Sequence, residues 1–301
     1  MTNNIYKFTF VSILFSIILL FGNCGTGKNN KDSSQDSTNT ENTTIEKIAG
    51  QIPFDFPIVK TSSKEGEYVL SPSKSFLDEA WTEGGENSTF IFYSRKMVKS
   101  GESESEVVEV SENVIIPNSL IIPIPSGQEA KKGDIVLTWW QSGSGMSRAI
   151  VMDDSNPKEP KVRYLDLDWE YYGETEENLK PNSFVKITDM WQPGTSVAYK
   201  DDYYMNHVQV VRVEGDKVLT IGWAGRIAVI KKQDCYPIPV TLDLKKGDKV
   251  QVPHIGSYTN GIINKYDANV GRAWVDIEFG GQKQEIVVPI GEITKDLVLE
   301  D

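Results

Sequence analysis

Beyond residue 60 the hydrophobic pattern is one of short alternating runs rather than helical stripes. β-branched residues alternate with polar ones over 208–213, 218–221, 275–279 and 286–288, and period-2 alternation over such lengths predicts half-buried strands. The runs are punctuated by glycine. Gly66-Glu67-Tyr68-Val69, Gly133-Asp134-Ile135-Val136, Gly194-Thr195-Ser196-Val197 and Gly247-Asp248-Lys249-Val250 each place a glycine turn just ahead of an apolar alternation. Glu214-Gly215-Asp216 and Gly280-Gly281 predict hairpin turns. Helical periodicity is nearly absent, and only 75–81 and 176–179 are expected to hold a helical turn. The prediction is an all-β chain.

A repeat is superimposed on this pattern. Pro123-Ile124-Pro125 is followed after five residues by Lys131-Lys132-Gly133-Asp134, and Pro237-Ile238-Pro239 after the same interval by Lys245-Lys246-Gly247-Asp248. Identical residues at identical spacing mark an internal duplication. Strand spacing then divides the chain into four small barrels of about five strands each, near 62–120, 128–190, 192–240 and 243–297, arranged as a duplicated two-barrel unit. The last segment carries a named likeness. Gly247-Asp248-Lys249-Val250, Tyr258 to Ile263, Val275 to Phe279 and Ile290-Gly291-Glu292-Ile293 together resemble a Tudor-type barrel, and the second and third segments are similar but looser. The resemblance implies tandem SH3/Tudor-like modules acting in binding.

The N-terminus has a different composition. Lys7 is followed by an apolar run from Phe8 to Phe21, then Gly22-Asn23-Cys24. The run is shorter than the roughly 20 apolar residues of a membrane span, and a short basic start with small residues before a cysteine reads as a secretory signal. It resembles a bacterial lipoprotein signal of the spirochaete type, with Asn before the cysteine and Phe21 where the strict motif has Leu. The resemblance implies a signal over 1–23, acylation of Cys24 (palmitate among the lipids) and a cell-envelope location, most simply the outer membrane, facing periplasm or surface. An uncleaved anchor helix is the competing reading. Residues 24–50, rich in Asn, Thr, Ser, Asp and Lys, are expected to form a disordered tether.

Charge narrows the partners. The formal net charge is −12, which argues against nucleic acid, whose phosphates call for Lys and Arg. The expected partners are membrane lipid, through the acyl chain, and a cell-envelope protein or peptidoglycan. The two cysteines permit no disulfide framework if Cys24 is acylated. Counted back from the repeated Pro-Ile-Pro, Cys235 occupies the position of Ile121, so burial is expected.

Candidate chemistry is sparse, and no catalytic residue, metal ligand or cofactor is assigned. Only His207 and His254 are available for proton transfer. A Cys235-dependent hydrolase is a distant alternative, because it needs an accessible thiolate. Asp166, Asp168 and Glu170 alternate, as if on one strand face, and with Asp153 and Asp154 raise calcium as a thought; a solvated acidic face is the simpler expectation. An aromatic cage of the Tudor kind attracts cations to ring faces. Its positions in the last segment hold His254, Asn260, Phe279 and Gln282, an incomplete set. The better candidates for ligand binding are Trp140, Trp169, Tyr171 and Tyr172 in the second segment and Tyr204 and Trp223 in the third, beside Tyr199. The rival reading is that these rings pack between barrels. Trp139 and Trp140 must point to opposite faces, with the outer one covered mostly by a neighbouring barrel and for the rest by a partner, and Trp223 should share with Leu219 and Ile221 a face at the core or its rim. A non-catalytic binding or scaffold lipoprotein is the leading expectation, and a peptidoglycan-binding SH3-type protein is the alternative.

Overall fold

A computed structural model describes residues 48–85, 88–168 and 175–299. The expected signal, Cys24 and most of the tether lie outside these residues, as do Trp169, Tyr171 and Tyr172. The described chain is all-β apart from one helix and short 3-10 turns, and it is antiparallel throughout. No helix among the described residues is long and apolar enough to cross a membrane.

Among the described residues, nineteen strands fall into four consecutive sets. The first is β1 (Tyr68–Pro72), β2 (Phe92–Lys99), β3 (Glu104–Glu109), β4 (Glu112–Pro117) and β5 (Ile122–Ile124), in the order β4-β3-β2-β1-β5. The second is β6 (Ile135–Trp139), β7 (Met146–Asp153), β8 (Lys161–Tyr164), β9 (Glu176–Asn178) and β10 (Val185–Lys186), in the order β10-β6-β7-β8-β9. The third is β11 (Ser196–Lys200), β12 (Met205–Glu214), β13 (Lys217–Gly222), β14 (Ile227–Lys231) and β15 (Cys235–Pro237), paired as β14-β13-β12-β11-β15. The fourth is β16 (Lys249–His254), β17 (Ser257–Asp267), β18 (Arg272–Phe279) and β19 (Gln282–Pro289), where a bridge from Gln251 to Thr294 stands in for a fifth strand. Each set therefore has its last segment beside its first strand, and then the second, third and fourth in turn. The third and fourth sets merge into one nine-stranded sheet through the pairing of Asn206 with Ser257. The strand pairings close none of the sheets into a continuous barrel.

The glycine turns explain why the sets look alike. Gly66, Gly133, Gly194 and Gly247 have φ of 80°, 86°, 84° and 91°, a region that a Cβ disfavours. Their N–H groups donate to the carbonyls of Met97, Val151, Val210 and Ile263, at 2.7–2.9 Å. The N–H of each of those residues donates back to the carbonyl of the residue after the glycine. At the same four residues the second strand of each set shifts register against the third, the mark of a β-bulge. One local device thus bends all four sets. The second and fourth agree further: Asp134 and Asp248 each accept from the backbone N–H of the lysine three residues earlier, and each meets a lysine from the end of its set, Lys186 and Lys295.

One core joins the sets. Leu70 and Phe92 from the first, Leu137 and Trp139 from the second, Leu219 from the third and Ile290 of the fourth belong to a single buried cluster, and the described residues all fall in one compact unit. Two sequence expectations change. The helical turn expected at 75–81 is a ten-residue helix, α1 (Lys74–Glu83), which buries Leu77 and Ala80. The one expected at 176–179 is β9, paired with β8, because Glu176 binds the guanidinium of Arg163 and Glu177 accepts from the Tyr164 hydroxyl.

Candidate functional site

β13 stops at Gly222 for a reason that lies far away in the chain. Its pairing with β12 ends at Val208. The next positions on β12 are taken by the fourth set: His207 donates its N–H to the Gly256 carbonyl at 2.9 Å, and Asn206 pairs with Ser257. Unable to continue, the chain turns through Trp223–Gly225, with Ala224 and Gly225 at φ of 56° and 75°. Gly225 is packed on the Phe90 carbonyl, where a Cβ would lie 2.5 Å away, and its own carbonyl accepts from Phe90 N–H at 2.8 Å. Trp223 is thereby extruded. It is 65% exposed, whereas alternation placed it at the core or its rim.

Beneath the turn is a cleft of about 470 Å³ to which all four sets contribute. Phe90, Ile91, Phe92, Met146, Ile221 and Trp223 form its apolar lining, with glycines 145, 222, 225 and 256 bringing backbone close. Its polar groups are Asp166, His207 and Gln209. Asp166 and Gln209 also line an adjoining hollow of about 510 Å³ between the segment 165–168 and β19. A larger hollow of about 840 Å³ lies across β16–β19. It is walled by one sheet alone, so the junction cleft, to which four sets contribute and which carries an exposed indole, is the stronger candidate.

The charges around the cleft are compensated. Arg148 is 2% exposed. Its Nε donates to Asp166 Oδ1 at 3.0 Å and its backbone N–H to Asp166 Oδ2 at 2.7 Å, while Nη2 bridges Asp166 and Glu292. Burial works against this guanidinium, but the two carboxylates outweigh it and hold the group above its usual range. Asp166 was expected on a solvated strand face. It sits instead in a bend after β8 ends at Tyr164, as the counter-ion of a buried arginine. Arg272 behaves oppositely: burial pushes it down to about 10 despite Asp166 and Glu292 nearby. Burial also lowers His207, whose Nε2 lies 3.0 Å from Ser196 Oγ and whose ring stands edge-on to Tyr258 at 5.6 Å. Burial, with Glu292 adding to it, raises the Tyr258 hydroxyl well above its ordinary value.

The other sequence candidates do not converge here. Trp139 meets the neighbouring set, with its ring centroid 4.9 Å from that of Tyr68. Trp140 packs on the core of its own set, with Gly143 so close that a Cβ would lie 2.2 Å from the indole. Tyr204 is 63% exposed in the β11–β12 turn, which Asp201 organises by accepting from the N–H groups of Tyr203 and Tyr204. Tyr199 packs on the third set's core. His254 and Phe279 do come together, edge to face at 4.7 Å, with Gln284 on the His254 Nε2. Cys235 is buried beside Val197 and Val208, and burial pushes its thiol up to about 11. Sequence reasoning missed Phe90, Asp166, His207 and Gln209 as a group. The available signal was local: two glycines flanking a tryptophan in Gly222-Trp223-Ala224-Gly225 suggest a strand end that presents a ring. No protein-family model matches the chain, and no curated protein matches it.

Proposed function

We propose that the chain is a non-catalytic binding protein, tethered to a cell-envelope membrane by lipid on Cys24, whose folded part consists of four SH3- or Tudor-like modules sharing one ligand cleft. The observation that carries the binding reading is Trp223, a 65%-exposed indole over a cleft to which all four strand sets contribute. A large exposed ring at a concave junction favours a partner that covers it. The module reading rests on the common strand order, the common glycine turn and the common bulge. The matching Asp134 and Asp248 turns support a duplicated pair within the four. Hydrolysis through Cys235 draws no support from a buried thiol whose thiolate is disfavoured at neutral pH.

Two experiments test the parts separately. Replacing Cys24 with Ser should move the protein out of the detergent phase on phase partitioning; a variant that stays there would remove the lipoprotein reading. For the cleft, full-length protein is immobilised and offered purified envelope proteins, peptidoglycan fragments and lipid extract in turn. One fraction should be retained by the wild type and lost with Trp223→Ala. Retention of none, or retention indifferent to Trp223, would overturn the cleft as the binding site.

A further inference from the structure

The cleft combines one exposed aromatic face with polar groups that bear no uncompensated charge. Among the described residues, Asp166 is the one formally charged side chain in its lining, and both its oxygens are engaged by Arg148. His207 is held neutral by burial. What is left for a ligand is a set of neutral hydrogen-bonding groups. The Gln209 amide makes no side-chain hydrogen bond among the described residues; nor does the Trp223 Nε1, and His207 uses only Nε2, on Ser196. An amide offers two donors and an acceptor, an imidazole one of each across its two nitrogens, and an indole one donor. The volume, about 470 Å³, falls within the roughly 300–1,000 Å³ of small-molecule sites.

From this arrangement we infer that the cleft takes a neutral saccharide, one pyranose ring stacking on Trp223 and its hydroxyl or acetamido groups bonding Gln209 and His207. The inference rests on the binding reading of the cleft. A cationic ligand would want several ring faces or a free carboxylate, and this cleft has one exposed ring and a carboxylate already paired. An anionic ligand would want a free guanidinium or ammonium, and Arg148 is spent on Asp166 and Glu292. A sugar ring has what remains to be matched: a flat C–H face for an indole, and neutral hydroxyls for an amide and an imidazole, each bonded group favouring it over an analogue that lacks it.

The test is calorimetric titration of the full-length protein, in a detergent without sugar headgroups, with chitohexaose, cellohexaose and maltohexaose. At least one should bind with a Kd in the micromolar to millimolar range. Trp223→Ala should weaken it at least tenfold, Trp223→Phe should retain most of it, and Gln209→Leu should weaken it several-fold, all with melting temperatures close to wild type. Absence of binding by all three sugars overturns the saccharide assignment. If Trp223-dependent retention of an envelope protein or lipid persists in that case, the cleft remains a binding site with another occupant. Sugar binding indifferent to Trp223 and Gln209 overturns the placement.

Discussion

Gly256 lies directly against Trp223: a Cβ built on Gly256 would come within 2.9 Å of the Trp223 Cβ. The glycine has φ of 83°, so the β16–β17 turn of the fourth set both tolerates this contact and fixes where the indole stands. Gly256→Ala is expected to lower stability by about 1–2 kcal/mol, the usual penalty for a side chain in the left-handed region. It should also displace Trp223 and weaken ligand retention more than stability alone explains. Melting temperature and indole emission measured on the same sample check both effects; unchanged emission and retention would mean that Gly256 does not position the ring.

The four glycine turns share a backbone but not a surrounding. Around Gly66, Gly133 and Gly247 nothing lies within 4 Å of a built Cβ, whereas at Gly194 the Leu137 side chain would be 2.6 Å away. Substitution by Ala at the first three should therefore cost a similar amount, about 1–2 kcal/mol each from backbone strain. Gly194→Ala should cost visibly more, because it also pushes on the core between the second and third sets. Four urea unfolding curves decide this, and equal losses at all four sites would contradict it.

The alternation of strand and glycine turn was open to sequence reasoning because its causes are local. Gly280 and Gly281, for instance, take φ of 60° and 74° within their own hairpin. The strand order and the cleft were closed to it because their causes are distant. Alternation aligned Trp223 with Leu219 and Ile221, yet the strand ends because Gly256 and Ser257 occupy its place on β12. Nothing near residue 223 records that. Asp166 was likewise read as solvated because its partners, Arg148 and Glu292, come from other elements. An acid is readable from sequence, but its counter-ion is not.

Arg148 ties three segments together, and removing it should expose how much the tie matters. Arg148→Met leaves Asp166 and Glu292 facing each other in a mostly buried place, which typically costs about 3–5 kcal/mol. Replacing all three with apolar residues (Arg148→Met, Asp166→Leu, Glu292→Leu) should recover most of that loss, since a buried ion cluster gains little over good packing. Denaturant unfolding of the two variants separates these cases. A triple variant no better than the single one would show that the cluster's bonds to backbone, from the guanidinium to the Ile290 carbonyl and from the Arg148 N–H to Asp166, rather than its charge balance, are what the fold needs.

His207 sets the direction of the acid response. Burial holds its imidazole below the ordinary value of 6.5; Glu292 and Asp166 pull it back up, and Arg148 pushes it down. The Ser196 hydroxyl and the Tyr258 ring complete its surroundings. The unfolded chain takes up the proton near pH 6.5 and the folded chain only at lower pH, so in between the unfolded state binds more protons. The stability linked to His207 is thus complete above about pH 6.5 and is lost as pH falls toward the folded value. The surface carboxylates Asp201 and Asp248 act in the same direction but in a lower window. Backbone N–H groups hold Asp201 below its ordinary 3.8, and Lys295 does so for Asp248, so their linkage is lost only as pH drops past that value. The melting temperature of the wild type should therefore begin to fall as pH drops below about 6.5, ahead of the carboxylate range. His207→Gln keeps a group able to bond Ser196 but cannot take up a proton, so it should flatten that part of the curve and leave the lower part unchanged. Parallel curves for the two proteins over the upper window would show that His207 is not held neutral by its surroundings, and would remove one of the uncharged groups assigned to the cleft.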